Sequence, residues 1–564
     1  MYHLHKKQVS AVVEPELKTL HEKRTTARVT SNRAGYVQAK KNFRKAFRKA
    51  KRAYYRNQLV ATAGMHNPFR AVKRLIPELN RKGGKQRHHF KDDMAIAESL
   101  GIEFKAYGGV RDEARRVSEL LELLHNLGRG GDIPIITEVK LVTAVKYQRR
   151  DTAPGPDGLT YSVWARIIET WEFRQDILRS MQHILESGTL PTSWRDAEIC
   201  PIPKGKQAFR PISLLNSIAK VMERIVSNRL KDEFTPRETQ FGCRPGHSAP
   251  MALVRLLHQS AMSYGEGKEL YIMSMDLSKA YDRVNRAELL RKLIHRGISS
   301  YLIHFIGSWF IRRHNKVSYN GVLGPRYTTL AGLPQGSTLS VVLWQIYVDD
   351  LPVPNSNCQL YMDDILIWAE GRSHMEAASK LQRLLKPVEI WCNRLQMIIN
   401  TQKTYLIANE IPSRGATVKF CGTCYYPSTR IRYLGMTLES FDDGGYLRAN
   451  LTELKRDVRR RVSLLRRVSR FCTTNVMSTL TKAFILGKIN YVLPVVGNED
   501  PEVRRQIEVA INEAMRLDTG AFPSTPIPLL HIRSGFPDSE ALFRYAAGSL
   551  WKKIQFGSSL REDL

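Results

Sequence analysis

Three aspartates stand where apolar runs end, and they are the residues of this sequence best suited to chemistry. Asp276 closes the run YIMSMD, and Asp363 with Asp364 interrupts the run QLYMDDILIW. Apolar runs of this length are typical of buried strands. Because an unpaired buried carboxylate is costly, it normally has a cation beside it. Two adjacent acids and a third from another strand can hold two divalent ions about 4 Å apart, an arrangement suited to in-line phosphoryl transfer.

The tetrapeptide Y-x-D-D occurs twice, at Tyr347–Asp350 and at Tyr361–Asp364. The first copy is followed by Leu351–Pro354, and two prolines so close together cannot lie in a central strand. We therefore predict that the first copy ends a helix and leads into a loop. The second copy is followed by the apolar run Ile365–Ala369, which predicts a hairpin with carboxylates at its tip. We place the chemistry at this second pair.

A turn-forming segment, AGLPQGS at Ala331–Ser337, lies between Asp276 and the predicted hairpin. Its proline and two glycines let backbone approach a ligand closely. With D-x-x-x-A-[FY]-D at Asp276–Asp282 before it and Y-x-D-D after it, the order of motifs resembles that of reverse transcriptases. In particular, residues 94–560 resemble the non-LTR (LINE-type) retrotransposon enzymes of the jockey-like group.

The resemblance implies a fold and a division into domains. It implies an α+β right-hand polymerase fold with fingers, an antiparallel-sheet palm and a helical thumb. The fingers and palm would be residues 132–441, with a core at 185–441, and the thumb and C-terminal region residues 442–564. Before them we expect a basic helical spacer and linker at 1–93 and a helical pre-fingers segment at 94–131.

The resemblance also implies a set of site residues for RNA-directed DNA synthesis. The catalytic set is Asp276, Asp363, Asp364 and Lys403. The metal ligands would be Asp276, Leu277, Asp363 and Asp364, holding two Mg²⁺ ions, with Mn²⁺ as an alternative. The nucleotide-binding set is Lys204, Arg210, Tyr281, Gln335 and Gly336. Tyr281 would be the steric gate whose ring excludes a ribose 2′-OH, and Lys403 would donate a proton to the leaving pyrophosphate.

Two further segments match the family pattern, and Arg244 and Asp282 are interpreted separately. Ala153–Leu159 resembles the segment that opens the fingers and contacts template RNA, and Ile431–Gly435 resembles the primer-grip hairpin. For Arg244, a fingers motif and a structural turn both remain open. Asp282 is predicted to cap or pair locally instead of binding metal.

Composition points to a polyanionic partner. Lys and Arg number 87 against 54 Asp and Glu, which gives a formal net charge of +33. Such an excess favours nucleic acid, and a ribosomal or membrane-surface protein is the alternative. The seven cysteines are odd in number and scattered, which does not indicate a disulfide framework. Cys421 and Cys424 are predicted to be buried thiols in a strand-turn-strand and not a zinc site.

Two predicted helices each have an apolar stripe on one face and clustered basic residues on the others. Near the N-terminus the stripe consists of Tyr36, Ala39, Phe43, Phe47, Ala50 and Tyr54, with lysine and arginine on the other faces. Near the C-terminus it consists of Leu451, Leu454, Val458, Val462, Leu465 and Val468. The second stripe suits a thumb helix laid against a duplex with arginines on its phosphates. For the first, nucleic-acid contact and a solvated face remain equal alternatives.

The expected partners are an RNA template, a DNA primer or target, and deoxynucleoside triphosphates. No apolar run approaches 18 residues and no signal peptide is visible at Met1–Val13, so the nucleus and cytoplasm are expected and no membrane partner. Endonuclease activity would have to come from elsewhere. The alternative functions are a catalytically silent RNA-binding remnant or maturase-like protein, and a polymerase that copies DNA.

Overall fold

The computed structural model describes residues 93–107, 113–148, 152–204, 208–408, 416–428, 430–439, 445–469, 472–496 and 501–557, with scattered positions between 19 and 46. The N-terminal stripe over 36–54 and the linker at 82–89 therefore lie outside the continuously described ranges. One compact unit contains residues 82–446 and 550–564, and a second contains residues 1–81 and 447–549. The division into fingers, palm and thumb at the predicted boundaries stays a prediction.

The first unit mixes helices with short strands. Its helices are α1 (Asp93–Ala106), α2 (Glu113–Leu127), α3 (Glu138–Lys146), α4 (Tyr161–Ile167), α5 (Trp171–Ser187), α6 (Ser217–Glu233), α7 (Ala249–Gly265), α8 (Arg286–His295), α9 (Ser300–Phe310), α10 (Leu339–Val348) and α11 (His374–Leu395). Its strands are β1 (Ala197–Pro203), β2 (Phe209–Leu214), β3 (Glu269–Asp276), β4 (Arg313–Tyr319), β5 (Val322–Leu323), β6 (Tyr327–Thr329), β7 (Cys358–Tyr361), β8 (Asp364–Gly371), β9 (Tyr405–Ala408), β10 (Val418–Phe420), β11 (Thr423–Tyr425), β12 (Pro427–Ser428), β13 (Arg430–Tyr433) and β14 (Met436–Glu439). This content confirms the mixed helix-and-sheet class.

A five-stranded sheet forms the centre of the unit, in the order β12-β9-β3-β8-β7. Strand β3 is antiparallel to both neighbours, β8 and β9, and β7 with β8 forms the predicted hairpin. The apolar runs are buried because both faces of β3 are covered, with α11 and α7 packed against it. Residues Leu270–Met273 are at most 1% exposed, and Ile365–Ala369 at most 2%. Both runs are therefore core strands, as predicted, and β12 is parallel to β9.

A second sheet has the order β2-β1-β4-β5, with β6 paired to β4. Strands β1 and β2 are antiparallel, whereas β1 and β4 are parallel. Helix α1 packs on this sheet through Ala97, Leu100 and Phe104, which share a small core with Ile199 and Val317. The hairpin that was expected at 431–435 is present as β13 and β14.

The cysteine prediction is wrong in one respect. Strands β10 and β11 form the expected strand-turn-strand, but both Cys421 and Cys424 are exposed. Cys421 lies on the turn itself, with φ +47°. Cys424 is the middle residue of β11, on the face opposite to the buried Tyr425. A short two-stranded hairpin covers one face only, so alternate side chains remain in solvent.

The second unit is helical where it is described. Its helices are α12 (Gly445–Ser469), α13 (Thr474–Thr481), a π-helical turn (Lys482–Leu486), α14 (Gly487–Val496), α15 (Pro501–Thr519), α16 (Ile527–Ser534) and the first part of α17 (Ser539–Gly557). The predicted stripe on α12 is buried, from Leu451 to Val468, at 5% exposure or less. Helix α15 begins at Pro501 and is followed by Gly520 at φ +65°.

One stretch of the second unit is long and apolar enough to cross a membrane on length and composition alone. It is Thr474–Val496, with a mean hydropathy of 1.2, and half of it is buried inside the protein. A core helix of a folded domain passes the same test, so this stretch is weak evidence for a membrane span.

Candidate active site

The three predicted carboxylates meet at one edge of the central sheet. Asp276 ends β3 and pairs in register with Asp364, the first residue of β8. Asp363 stands in the tight turn between β7 and β8, next to Met362 at φ +60°. Two carboxylates on neighbouring strands and a third at the hairpin tip are therefore held together by backbone pairing. This is the hairpin that the sequence predicted.

The hairpin turn is buttressed by the segment Gln240–Gly242. The side-chain oxygen of Gln240 accepts hydrogen bonds from the backbone N–H of Gly242 at 2.9 Å and of Met362 at 3.1 Å. A Cβ on Gly242 would lie 2.6 Å from the Met362 nitrogen, so only glycine allows this approach. The sequence motif around Gly242 thus fixes the turn that carries Asp363.

Negative charge is concentrated at this edge. The pKa of the Asp364 carboxyl is raised to about 6 by desolvation and by repulsion from Asp363 and Asp276, and Lys204 opposes the shift. A divalent cation bound beside these carboxylates would offset their mutual repulsion and lower this pKa.

The donor chemistry fits divalent metal ions. Carboxylate and carbonyl oxygens are the ligands that Mg²⁺ prefers, and Mg²⁺ usually keeps several waters and takes one or two protein carboxylates plus substrate phosphates. Within the described ranges, no group of three or more His, Cys, Asp or Glu side chains is arranged to hold a metal ion by itself. An open set of carboxylates suits an ion that is shared with a substrate better than a structural ion.

Both aspartates of the first Y-x-D-D make structural contacts. Helix α10 ends at Val348, as predicted for this copy. Asp349 is paired with Arg296 at 2.5 Å and accepts from the Arg237 backbone at 2.7 Å. Asp350 accepts from three side chains: Lys292 at 2.6 Å, Trp391 at 2.8 Å and Arg394 at 2.7 Å. These contacts join α8, α10 and α11, so this pair of aspartates stabilises the fold.

A cleft of about 580 Å³ opens beside Asp276 and Asp363. Within the described residues, nine of the ten predicted site residues line it, namely Lys204, Arg210, Asp276, Leu277, Tyr281, Gln335, Gly336, Asp363 and Lys403. Asp364 does not line the cleft; it begins β8 and is paired in register with Asp276. The structure therefore brings together residues that are up to 199 positions apart in the sequence.

Tyr281 lies in the short 3₁₀ turn Tyr281–Arg283, which follows β3. Its ring stacks on the indole of Trp344 from α10. Burial raises the pKa of the Tyr281 hydroxyl, and the neighbouring Cys243 and Asp363 add to the shift. The ring is therefore neutral, fixed on one face and directed along the cleft wall near Asp363.

The segment Ala331–Ser337 is folded against this turn and against β2. The Gln335 side-chain amide donates to both carboxylate oxygens of Asp282, at 3.1 and 3.0 Å, and the Gln335 carbonyl accepts from the Ser213 N–H at 2.7 Å. A Cβ on Gly336, at φ +122°, would lie 2.6 Å from the Ser213 oxygen. Asp282 therefore pairs with Gln335, 53 residues away, in addition to its predicted local interactions with the charges of Lys279 and Arg283.

A buried carboxylate that the sequence did not reveal anchors the end of this segment. Glu223 on α6 is 1% exposed. It accepts from Trp309 Nε1 at 2.8 Å, from Ser337 Oγ at 2.7 Å and from the Thr338 N–H at 3.2 Å. A single glutamate in a helix gives no signal of this role, because its three donors come from two distant segments.

The basic residues of the cleft come from three segments. Lys204 follows β1, and its N–H donates to the Ala208 oxygen at 2.6 Å, while Arg210 lies on β2. Lys403 lies in a turn that is tied to the site, because its N–H donates to Asn400 and the Asn400 N–H donates to the Asp276 carbonyl at 2.8 Å. Arg244 is different: its guanidinium donates to the carbonyls of Arg237 and Glu238. Those contacts favour the structural turn.

The loop Ala153–Leu159 packs on the start of α6. A Cβ on Gly155 would lie 2.3 Å from the Leu215 carbonyl carbon, and the Asp157 N–H donates to Asn216 at 3.2 Å. The loop is thus built into the first unit, and its contact with template RNA stays a prediction.

Comparison with known proteins bears on these motifs. Residues 202–438 match the family described as "Reverse transcriptase (RNA-dependent DNA polymerase)". Residues 202–438 are thus similar in sequence to reverse transcriptases. The chain is 30% identical over 285 residues to the "Probable RNA-directed DNA polymerase from transposon BS" of Drosophila melanogaster, covering 45% of this chain and 31% of that protein.

A second relative aligns over more of the chain. The chain is 27% identical over 470 residues to the "RNA-directed DNA polymerase from mobile element jockey" of Drosophila funebris, covering 78% of this chain and 50% of that protein. The sequence likeness to non-LTR reverse transcriptases of the jockey-like group is therefore confirmed. The chain spans about a third to a half of the length of these relatives.

Among solved structures, the "Structure of apo telomerase from Candida Tropicalis" aligns with a TM-score of 0.35 and 12% identity, over 72% of each chain.

Proposed function

We propose that the chain is an RNA-directed DNA polymerase of a LINE-type retrotransposon, which extends a DNA primer on an RNA template. The observation that carries the proposal is the pairing of Asp276 with Asp364 across β3 and β8, with Asp363 at the adjoining turn. This arrangement lies within residues 202–438, which match the reverse transcriptase family, and it opens onto a cleft lined by basic residues. The chemistry that suits it is nucleotidyl transfer to a 3′-OH.

Each group of cleft residues has a role in this proposal. Asp276 and Asp363, with Asp364 assisting and the Leu277 carbonyl as a further ligand, would hold two divalent ions, Mg²⁺ or Mn²⁺. Such ions lower the pKa of the primer 3′-OH and neutralise the leaving pyrophosphate. Because Asp364 does not line the cleft, its main effect would be to keep negative charge high beside the other two carboxylates.

Basic residues of the cleft would bind the triphosphate of the incoming nucleotide. Arg210 presents a planar set of donors that matches phosphate oxygens, whereas Lys204 and Lys403 are point charges. Lys403 would also donate a proton to pyrophosphate as it leaves. Its turn is hydrogen-bonded through Asn400 to the Asp276 backbone, so the acid and the carboxylate are positioned by one piece of backbone.

The nucleoside part would be selected by Tyr281, Gln335 and Gly336. The Tyr281 ring occupies the space that a ribose 2′-OH needs, so deoxynucleotides are accepted. The Gln335 amide is oriented by Asp282, and Gly336 lets backbone approach the nucleotide.

The two units would have the parts of a right-hand polymerase. The central sheet would be the palm, the second sheet with α6 would belong to the fingers, and α12 would be the thumb helix. The arginines Arg459, Arg460, Arg466 and Arg467 are exposed on α12, opposite its buried stripe. They would contact duplex phosphates, consistent with the strongly basic composition.

Primer extension tests the proposal. The chain would be given poly(rA) with oligo(dT), dTTP and Mg²⁺, and a second reaction would carry poly(dA) as template. We expect extension on the RNA template that requires a divalent ion and ceases with EDTA. If the chain binds the poly(rA)/oligo(dT) hybrid but extends no primer in either Mg²⁺ or Mn²⁺, the result would instead support the silent RNA-binding protein.

A further inference from the structure

Helix α1 lies upstream of residues 202–438 and ends at the wall of the active-site cleft. It packs on strand β4 through a core that contains Phe104 and Val317. At its first residue, Asp93 accepts a hydrogen bond from Asn320 at 3.2 Å. The residue after its last turn, Tyr107, lines the cleft together with Asp276. This helix is therefore an integral part of the unit that carries the site.

The ring of Tyr107 contacts a lysine that lines the cleft. The Nζ of Lys279 lies 3.2 Å from the centroid of the Tyr107 ring. Tyr107 is itself 6% exposed, and its hydroxyl donates to Glu103 one turn earlier on α1. An ammonium over an aromatic face is attracted by about 0.5–2 kcal/mol, the larger values applying to desolvated pairs. The ring is thus a fixed support for the lysine.

Lys279 is placed by a backbone that has little freedom to move. It has φ +53°, in the left-handed region that residues with a Cβ rarely adopt. Its carbonyl accepts from the Asp282 N–H at 2.9 Å and from the Arg283 N–H at 3.1 Å. The same turn presents Tyr281, so the lysine and the gate share one rigid segment. Its side chain is exposed and lines the cleft between the Asp276 edge and Tyr107.

We propose that Lys279 binds the phosphates of the incoming nucleotide and that Tyr107 is a positioning residue, which holds the Lys279 ammonium on the phosphate side of the cleft. The inference rests on the proposed function and extends it to a residue outside the matched domain. Glu103 and Asp282 both attract the lysine. Without the Tyr107 ring, the Lys279 ammonium can pair with Glu103 or Asp282 instead, and it then no longer binds the phosphates.

Equilibrium binding of dTTP with Mg²⁺ to the full chain tests this without relying on catalysis. The variants are Tyr107→Leu, Tyr107→Phe, Lys279→Met and the Tyr107→Leu/Lys279→Met pair. Tyr107→Leu should weaken dTTP binding by about 2- to 30-fold, the factor that corresponds to 0.5–2 kcal/mol. Tyr107→Phe keeps the ring and should bind as wild type does. The paired variant should bind no more weakly than Lys279→Met alone.

Competition with inorganic tripolyphosphate assigns the effect to the phosphates. Its affinity should fall in Tyr107→Leu by the same factor as that of dTTP. Thermal unfolding checks that the variants fold, and because Lys279 is exposed, Lys279→Met remains a clean test even if Tyr107→Leu is destabilised.

Three outcomes would overturn the inference. One is unchanged dTTP affinity in Lys279→Met or in folded Tyr107→Leu. Another is a full additional loss in the paired variant, which would make Tyr107 independent of Lys279. The last is a Tyr107→Phe variant as weak as Tyr107→Leu, which would assign the role to the hydroxyl and Glu103. A wild-type chain that binds dTTP but extends no primer would contradict the proposed function and leave this test intact.

Discussion

The ring of Tyr281 lies stacked on the indole of Trp344, with centroids 5.1 Å apart and planes inclined by 18°. Trp344 is fully buried in α10, the helix that follows the segment Ala331–Ser337. The position of the proposed gate is therefore set by the helix that begins directly after the segment Ala331–Ser337. Because Trp344 covers one face of the Tyr281 ring, the ring cannot move away when a sugar lies against its other face.

Tyr281→Ala should admit ribonucleotides. In the proposed function the Tyr281 ring would exclude a 2′-OH by overlap, a repulsion that rises steeply over tenths of an ångström. Removing it should raise the ratio of kcat/KM for rTTP over dTTP by about two orders of magnitude or more, about 2.7 kcal/mol in the barrier. Tyr281→Phe keeps the ring and should keep the ratio. An unchanged ratio in an active Tyr281→Ala enzyme would make Tyr281 an ordinary core residue.

Glu223→Gln should destabilise the first unit. All three groups that donate to Glu223 are N–H or O–H groups, so an amide NH₂ must face at least one of them. A buried polar group left unsatisfied costs about 1–3 kcal/mol, and we expect a loss of that size in the free energy of unfolding. The matched control on the same helix is Glu233→Gln, at an exposed site where Glu233 accepts from Ser299. The expected loss there is about 1 kcal/mol or less.

Equal thermal midpoints for Glu223→Gln and Glu233→Gln would show that the buried carboxylate is not an anchor of the segment Ala331–Ser337.

The carboxyl of Asp282 should make stability depend on pH. Burial raises its pKa to about 6, against the opposing effects of the Gln335 hydrogen bond and of Lys279, Arg210 and Arg283. Since the folded pKa lies above the unfolded value, the folded chain binds this proton more tightly. The contribution of Asp282 to stability is therefore greatest below pH 4 and falls as the pH rises to about 6.

Asp282→Asn removes this titration and can still accept from Gln335. Relative to wild type, we expect it to be equally stable near pH 4 and more stable at pH 7.5 by up to about 3 kcal/mol, at 1.36 kcal/mol per pKa unit. Thermal unfolding of both proteins at the two pH values measures the difference. A stability difference that is the same at both pH values would contradict the assigned titration.

Sequence reasoning found the parts of the site whose signals are local. The prolines after Asp350 and the apolar run after Asp364 separate the two Y-x-D-D copies, and the structure places the second on a hairpin and the first at a helix end. The partners of Asp350 come from α8 and α11, and the donors to Glu223 come from α9 and the start of α10. Contacts of this kind depend on tertiary packing and leave no periodic or spacing signal.

The contact of Tyr107 with Lys279 could not be predicted from the sequence either. Tyr107 follows an ordinary amphipathic helix, and only the packing of α1 on β4 brings its ring to Lys279. The exposed cysteines of the β10–β11 hairpin are a further case, since a strand-turn-strand pattern does not reveal which face is covered.

Substitution of one aspartate in each Y-x-D-D tests the central claim most directly. The rate of dTMP incorporation on poly(rA)/oligo(dT) is measured for Asp363→Asn and Asp349→Asn, with thermal unfolding as a check on folding. Metal ions supply several kcal/mol of charge stabilisation, so Asp363→Asn should lower the rate by about three orders of magnitude or more. Asp349→Asn should keep most of the rate, because Asp349 only braces Arg296 and the Arg237 backbone. Equal losses in two folded variants, or an active Asp363→Asn, would contradict the assignment of the catalytic pair.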